Sequence, residues 1–366
     1  MNNTFTLCGF EIKKIVRQKS FLLVLAAMLA IIIANETAPV ILHNYPETML
    51  ADKAVSGTII DDGFIEYYKG LDNPKSLGAV DTFIRSCSQE RAEALENAES
   101  LYGFRLKFIE EEMNIQACTD YEKEFWLAEN EKTPTPYKYE YCGAYSSFFD
   151  TVSIMNFLLL ISVTVALGGL FADEKTRGTD QLIFSSRNGK KTLFKAKLLA
   201  GFAVSLATAF ILMAAELALL ALLYGTDGFN TAFQLIIPPC MSKLSAGQAV
   251  AIEIILWFAL SLIDGAIVMF LSQVTGNHTV VTAAMILVMI LSMINPPESM
   301  RLISVISSYL PGAYLGAWNF YEYRLIKIGN LALTNWQSAI PIWIITVAVL
   351  LAIAKLSYKK YQVTGK

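Results

Sequence analysis

Three carboxylates, Glu216, Glu253 and Asp264, stand inside long apolar stretches of this 366-residue chain. A carboxylate is costly in hydrocarbon and must face protein, water or a partner. Glu253 and Asp264 are eleven residues apart, about three helical turns with an offset of only ~20°, so they share one helix face. Ser205, Thr208 and Glu216 fall on a single stripe of the preceding apolar run. No Lys or Arg lies at mid-depth to pair with any of them. Such groups suit a polar wall of a translocation path or a cation site. They equally suit hydrogen bonds between helices or to water near a helix end.

Other chemistry is missing. His43 and His278 lie far apart, with no HExxH or Cys-rich partner, so no metal site is expected. There is no GxSxG elbow. The stretch "SSRNGKKT" approaches a phosphate loop, but Phe184 stands where the first Gly belongs and Lys191 where the hydroxyl belongs. Asn188-Gly189 reads better as a turn. The chain is expected to bind no cofactor and to catalyse nothing by itself.

The elements that position these residues follow from composition. Hydrophobic residues make up 54% and charged residues 17%, with a mean hydropathy of +0.46. A soluble domain carries roughly 25% charge. A bilayer core needs about 20 mostly apolar residues per helix. Six stretches come near that length: 20–38, 150–171, 196–223, 247–272, 278–295 and 338–356. The fold class is therefore an all-α polytopic membrane protein with six transmembrane helices. In the first span Ala26, Ala30 and Ala34 make a small-residue face for close helix packing. Its short apolar core after basic residues also fits a signal peptide, but no clean small-x-small cleavage site follows Ala34. In 1–19, Phe5, Cys8, Ile12, Ile15 and Val16 fall at helical spacing opposite Lys13, Lys14, Arg17 and Lys19. This pattern suits an interfacial helix, or a basic flank that only sets topology.

Basic residues crowd three places: the N-terminus, the 172–195 loop and the 357–366 tail with Lys355 just before it. Six spans put all three on one side, which the positive-inside rule makes cytoplasmic, with both termini there in the plasma membrane. The outer pieces are then 39–148, 224–246 and 296–337. The first is acidic and large enough for a small, mainly helical domain between spans one and two. Within it Leu95, Ala98, Tyr102, Leu106, Ile109 and Met113 predict an amphipathic helix over 86–117. "TPTPYKYEY" predicts an extended return to the membrane. Cys87, Cys118, Cys142 and Cys240 allow a disulfide or free buried thiols. In 296–337, Tyr314, Trp318, Phe320, Tyr321 and Tyr323 suit either a re-entrant segment or an ordinary aromatic belt.

The loop "FADEKTRGTDQLIFSSRNGKKTLFKAK" carries its own pattern. Thr179-Asp180 can cap a helix, Leu182, Ile183 and Phe184 make an apolar knob, and Asn188-Gly189 stop it. Three consecutive large apolar residues call for a cover, from a partner protein, lipid headgroups or the protein's own helix ends.

The order Glu174, Gly178-Thr179 and Lys197 resembles the cytoplasmic loop of type-2 ABC exporter permeases. The six-span plan, with an interfacial helix before it and "SSYLPGAYL" in the last outer segment, is similar as well. The resemblance implies that the helix around 179–187 is a coupling helix made by Glu174, Gly178, Thr179, Asp180, Leu182, Ile183 and Phe184. It would dock on a separate ATP-binding cassette ATPase, which would hold ATP and Mg. It implies a second permease copy or paralogue as well as membrane lipids around the chain; no nucleic acid is expected, since an overall pI of about 5.6 does not point to the concentrated basic surface that such binding wants. The cargo would be amphipathic or hydrophobic, such as a peptide, antibiotic or lipid. The insertion 39–148 is longer than the first outer loop of many members. A membrane sensor reading ligands through 39–148 is the alternative, although the cytoplasmic segments look too short for a signalling domain.

Overall fold

A computed structural model describes residues 2–42, 45–89, 91–179, 191–294, 296–297, 300–329 and 331–360. The chain opens with α1 (Asn2–Val16) and, after a break at Arg17-Gln18, α2 (Lys19–Leu42). The apolar stripe expected on α1 splits. Cys8 and Ile12 pack against Ala196 and Ala200, and Ile15 is buried, whereas Phe5 and Val16 are exposed. The helix turns only three residues of that stripe toward the bundle.

Among the described residues, five helices are long and apolar enough to cross a membrane. They are α2, the pair α8 (Gly143–Leu167) and α9 (Gly169–Thr176), α10 (Thr192–Tyr224), α11 (Ala246–Thr275) and α14 (Asn335–Lys360). The remaining predicted span forms α12 (His278–Ser292), whose 15 residues rise only about 22 Å against a ~30 Å hydrocarbon core. Six full-length spans are thus not reached by helix length alone. The apolar window of α8 is 78% buried, against 22% for α2 and 17% for α14. The second crossing helix is therefore the centre of the bundle, while α2 and α14 leave most of their apolar surface for lipid or another chain.

Between α2 and α8 lie α3 (Tyr45–Ala54), α4 (Asp62–Lys69), α5 (Ala79–Ser88), α6 (Ala98–Ile115) and α7 (Asp120–Asn130). The single helix predicted over 86–117 is broken. Gln89 adopts a left-handed conformation at φ 46° and stops α5. The Asn97 side chain then accepts from the Ser100 N–H and starts α6 afresh. The predicted stripe survives on α6, where Tyr102, Ile109 and Met113 are buried. α7 starts with a full capping box of Thr119 and Glu122. The "YKYEY" stretch is extended and pairs antiparallel with 58–60, so that Tyr137, Tyr139 and Tyr141 point inward. Lys138 and Glu140 point outward and pair at 3.0 Å. The period of two sorts these side chains by face. All five cysteines are free thiols. Burial pushes Cys87 and Cys118 up to about 12, so neither is poised as a nucleophile.

Two carboxyls of this insertion respond to pH in opposite senses. Burial tends to raise Glu122, but the Arg301 guanidinium and the Leu325 and Thr119 N–H groups outweigh it and hold the carboxyl below its usual range. Its contribution is present near neutrality and is lost as pH falls. Asp52 is raised to about 7 by burial, against the lowering effect of the hydrogen bond from Tyr139. The folded state then binds more protons than the unfolded one between about pH 4 and 7, so stability falls as pH rises through that window, by roughly 4 kcal/mol in all. Asp52→Asn should flatten this slope in thermal unfolding of the purified chain between pH 5 and 8 (roughly the range in which the carboxyl ionises). An unchanged slope would remove Asp52 as its source.

The segment after α12 folds back among the helices. It comprises α13 (Arg301–Ser307), two short 3-10 turns at Pro311–Ala313 and Ala317–Phe320, and a hairpin of β1 (Ile326–Ile328) and β2 (Leu331–Leu333). Asn156 donates to Pro311 O at 3.0 Å and Ser153 to Leu315 O at 3.1 Å, so this strap lies against the central helix α8. Tyr314, Phe320 and Tyr323 are buried, with Phe320 against Phe149 and Phe233. An ordinary aromatic belt is therefore not what these three form. Their rings fill the interior because the strap, rather than a headgroup layer, surrounds them.

Candidate translocation and coupling site

Where α8 ends, the chain breaks at Gly168 and resumes as α9. The break frees backbone groups, and Ser272 of α11 satisfies them. Its hydroxyl donates to Gly168 O at 2.8 Å and accepts from the Phe171 and Ala172 N–H groups at 3.1 Å. Lys175 donates to Gln273 O. These bonds tie α9 to the end of α11, where Gly276 caps in the left-handed region at φ 63°.

Glu174 and Lys197, separated by 23 residues of sequence, meet at 2.6 Å. Lys197 is fully buried and also donates to Leu170 O at 2.6 Å. Its ammonium stands 5.0 Å from the centre of the Phe171 ring. A Lys removed from water needs such an arrangement of carboxylate, carbonyl and ring face. The pair clamps the end of α9 to the start of α10, the two helices from which the charged connection leaves. Gly178, at φ 66°, then turns the chain, and Thr179 closes the turn with its N–H on Glu174 O at 3.0 Å. Asp180, Leu182, Ile183 and Phe184 lie outside the described residues.

The span carboxylates separate into different environments. Ser205, Thr208 and Glu216 are all buried on one stripe of α10, and Glu216 accepts from Thr151 of α8 at 2.7 Å. Glu253 accepts from Asn319 of the strap at 3.1 Å. Its other oxygen has no partner among the described residues. Asp264 is fully buried, and among the described residues neither of its oxygens nor the Ser205 hydroxyl has a hydrogen-bond partner. None of the three carboxylates forms an ion pair among the described residues. Asp264 is thus the most anomalous group in the bundle, because a buried polar atom without a partner costs free energy.

Several contacts have no local signal in the sequence. Arg105, 1% exposed, donates to Pro238 O, Cys240 O and Asn130 Oδ1 at 2.8, 2.6 and 2.9 Å. Arg324 and Glu322, each 2% exposed at the side chain, pair at 2.6 Å. Glu122 bonds Arg301 at 2.5 Å, joining α7 to the strap. The one hint for Arg105 is its place three residues after Tyr102, on the inward face of α6.

A helical bundle with five helices of crossing length among the described residues is the architecture of a polytopic membrane protein. The sequence model described as ABC-2 family transporter protein matches residues 46–355, and the chain belongs to that family. It is accordingly a multi-pass membrane component of an ABC transporter, and the family associates with an ATP-binding cassette subunit. No curated protein and no solved structure matches the chain significantly.

Proposed function

We propose that this chain is the permease subunit of an ATP-driven exporter, moving an amphipathic or hydrophobic cargo such as a peptide, antibiotic or lipid outward across the plasma membrane. The basic 172–195 connection and both termini are cytoplasmic, and 39–148 is extracytoplasmic. α12 acts as a short fifth span completed by the strap. A second copy or a paralogue supplies the other half of the pathway. The segment around 179–187 is the coupling helix, and the partner ATPase holds ATP and Mg.

The observation that carries this reading, beyond family membership, is the Glu174–Lys197 clamp. A push on the connection is delivered to α9 and α10 together and, through Ser272, to α11, which carries Asp264. Closure of the ATPases would thereby tilt the helices that hold the buried carboxylates. Glu216, Glu253, Asp264, Ser205 and Thr208 are the candidate lining of the path, with Asp264 its foremost member because nothing in the described chain satisfies it.

Phe184→Ala tests the docking. Covering a side chain of that size contributes roughly 1.5–3 kcal/mol, which is about ten- to hundredfold in affinity. The variant is expected to pull down correspondingly less ATPase from nanodiscs while the permease keeps its melting temperature. Full attachment and full substrate stimulation of ATP turnover would show that this loop does not dock.

A further inference from the structure

A cavity of about 450 Å³ opens where the insertion meets the ends of α2, α8 and α10. Four carboxylates line it: Glu36 from α2, Asp52 from α3, Asp81 from α5 and Asp150 from α8. One of them is neutralised, since Asp81 pairs with Arg85 at 2.8 Å. Among the described residues Glu36, 1% exposed, accepts only from the neutral groups of Asn35 and Ser147, at 3.2 and 3.1 Å. Asp150 has no ion-pair partner among the described residues. The one lysine on the wall, Lys75, is itself without an ion-pair partner among them.

Asp52 is the telling group. It is 5% exposed, and only its Oδ1 is held, by the Tyr139 hydroxyl. Its Oδ2 has no hydrogen-bond or ion-pair partner among the described residues. Gly78, at φ 53°, borders the cavity beside it, and a Cβ there would come within 2.5 Å of Oδ2. The glycine keeps this oxygen open to the cavity. An oxygen of a nearly buried carboxyl left without a partner, on a wall where two further carboxyls also lack a cation, can serve as the acceptor half of an ion pair.

We infer that this cavity is a receptor for an organic cation, an alkylammonium group carried on a peptide or a polyamine, held by Asp52 and Asp150 with Glu36 behind them. A metal ion fits less well. Among the described residues no three of His, Cys, Asp and Glu stand close enough to share one, whereas an extended cation uses carboxylates spread over a wall. A cavity of this size admits a side chain or a small amine with room for water. The inference rests on the export reading only in taking the bound cation for cargo.

The test is binding of fluorescein-labelled tetralysine to the full chain in phosphatidylcholine nanodiscs, read by anisotropy without ATPase. Tetraglutamine of equal length is the uncharged control, and unlabelled spermine is the competitor. Tetralysine should bind and tetraglutamine should not. Asp52→Asn/Asp150→Asn should weaken binding at least about tenfold, from the loss of one nearly buried and one exposed acceptor. Glu110→Gln/Glu111→Gln, on the exposed side of α6, should leave binding unchanged. Displacement by spermine would assign the site to ammonium groups in general, and its absence to peptides. Undiminished binding to the Asp52/Asp150 variant, or an equal loss in the α6 control, would overturn the site. ATPase pull-down on the same variants separates the two claims. Its failure in the parent chain would remove the export reading and leave the cation site standing.

Discussion

Lys197→Met is expected to destabilise the chain by about 3–5 kcal/mol, the cost of removing one partner from a buried ion pair. The methionine fills the space of the lysine stem but leaves Glu174, 14% exposed at its side chain, facing no cation. It also releases Leu170 O, which lies in the short helix α9 next to the Gly168 break. Glu174→Leu should be harmful for the converse reason, because the fully buried Lys197 would lose its carboxylate and be left with only a carbonyl and a ring face. The double variant Lys197→Met/Glu174→Leu should recover most of the loss, since an apolar pair can replace a buried ion pair at little net cost. Thermal unfolding of the four proteins in detergent closes the cycle. Additive losses in the double variant would mean that the two residues do not act as a pair. The same cycle followed by ATPase turnover separates holding the helices together from transmitting motion. A double variant that is stable, binds ATPase and yet fails to couple hydrolysis to transport would show that the polar clamp itself carries the movement.

Arg105→Met is expected to cost roughly 3–5 kcal/mol and to loosen the insertion rather than the helical bundle. The guanidinium satisfies Pro238 O and Cys240 O in the 225–245 connection and Asn130 at the end of α7. Methionine matches much of the volume and none of the donors, so two buried carbonyls lose their partner together. Arg105→Lys should rescue little, because an ammonium cannot present the planar fork that reaches separated acceptors. Limited proteolysis should therefore cut within 91–142 or 225–245 in both variants, with the crossing helices intact. Protection equal to that of the parent would show that Tyr323, which also bonds Pro239 O at 2.6 Å, suffices to hold the connection.

Much of this architecture is legible in the residues. Apolar runs of span length, the alternation in "YKYEY", the stripe on α6 and the charged connection each carry their information within a few turns of chain. Periodicity and hydropathy are local quantities, and the backbone must satisfy its own hydrogen bonds within each helix whatever surrounds it. The Glu174–Lys197 pairing was foreshadowed only through the resemblance of the loop, since 23 residues separate the two and no local rule joins them.

Tertiary structure decided the rest. Glu253 and Asp264 look equivalent as residues three turns apart on one face, yet only Glu253 meets the Asn319 amide of the strap. Tyr314, Phe320 and Tyr323 have the composition of an interfacial belt, yet the strap folds inward and takes them into the core. Glu36 follows the apolar run of the first span and Asp52 lies in the acidic insertion, and no local pattern joins the two. Their meeting on one cavity wall required α2, α3, α5 and α8 to converge. A side chain's type sets what it can bond to, and its helix sets which way it faces. Which partner it meets, or whether it meets none, depends on chain segments far away in the sequence, 66 residues for Glu253 and Asn319 and 87 for Asp52 and Tyr139.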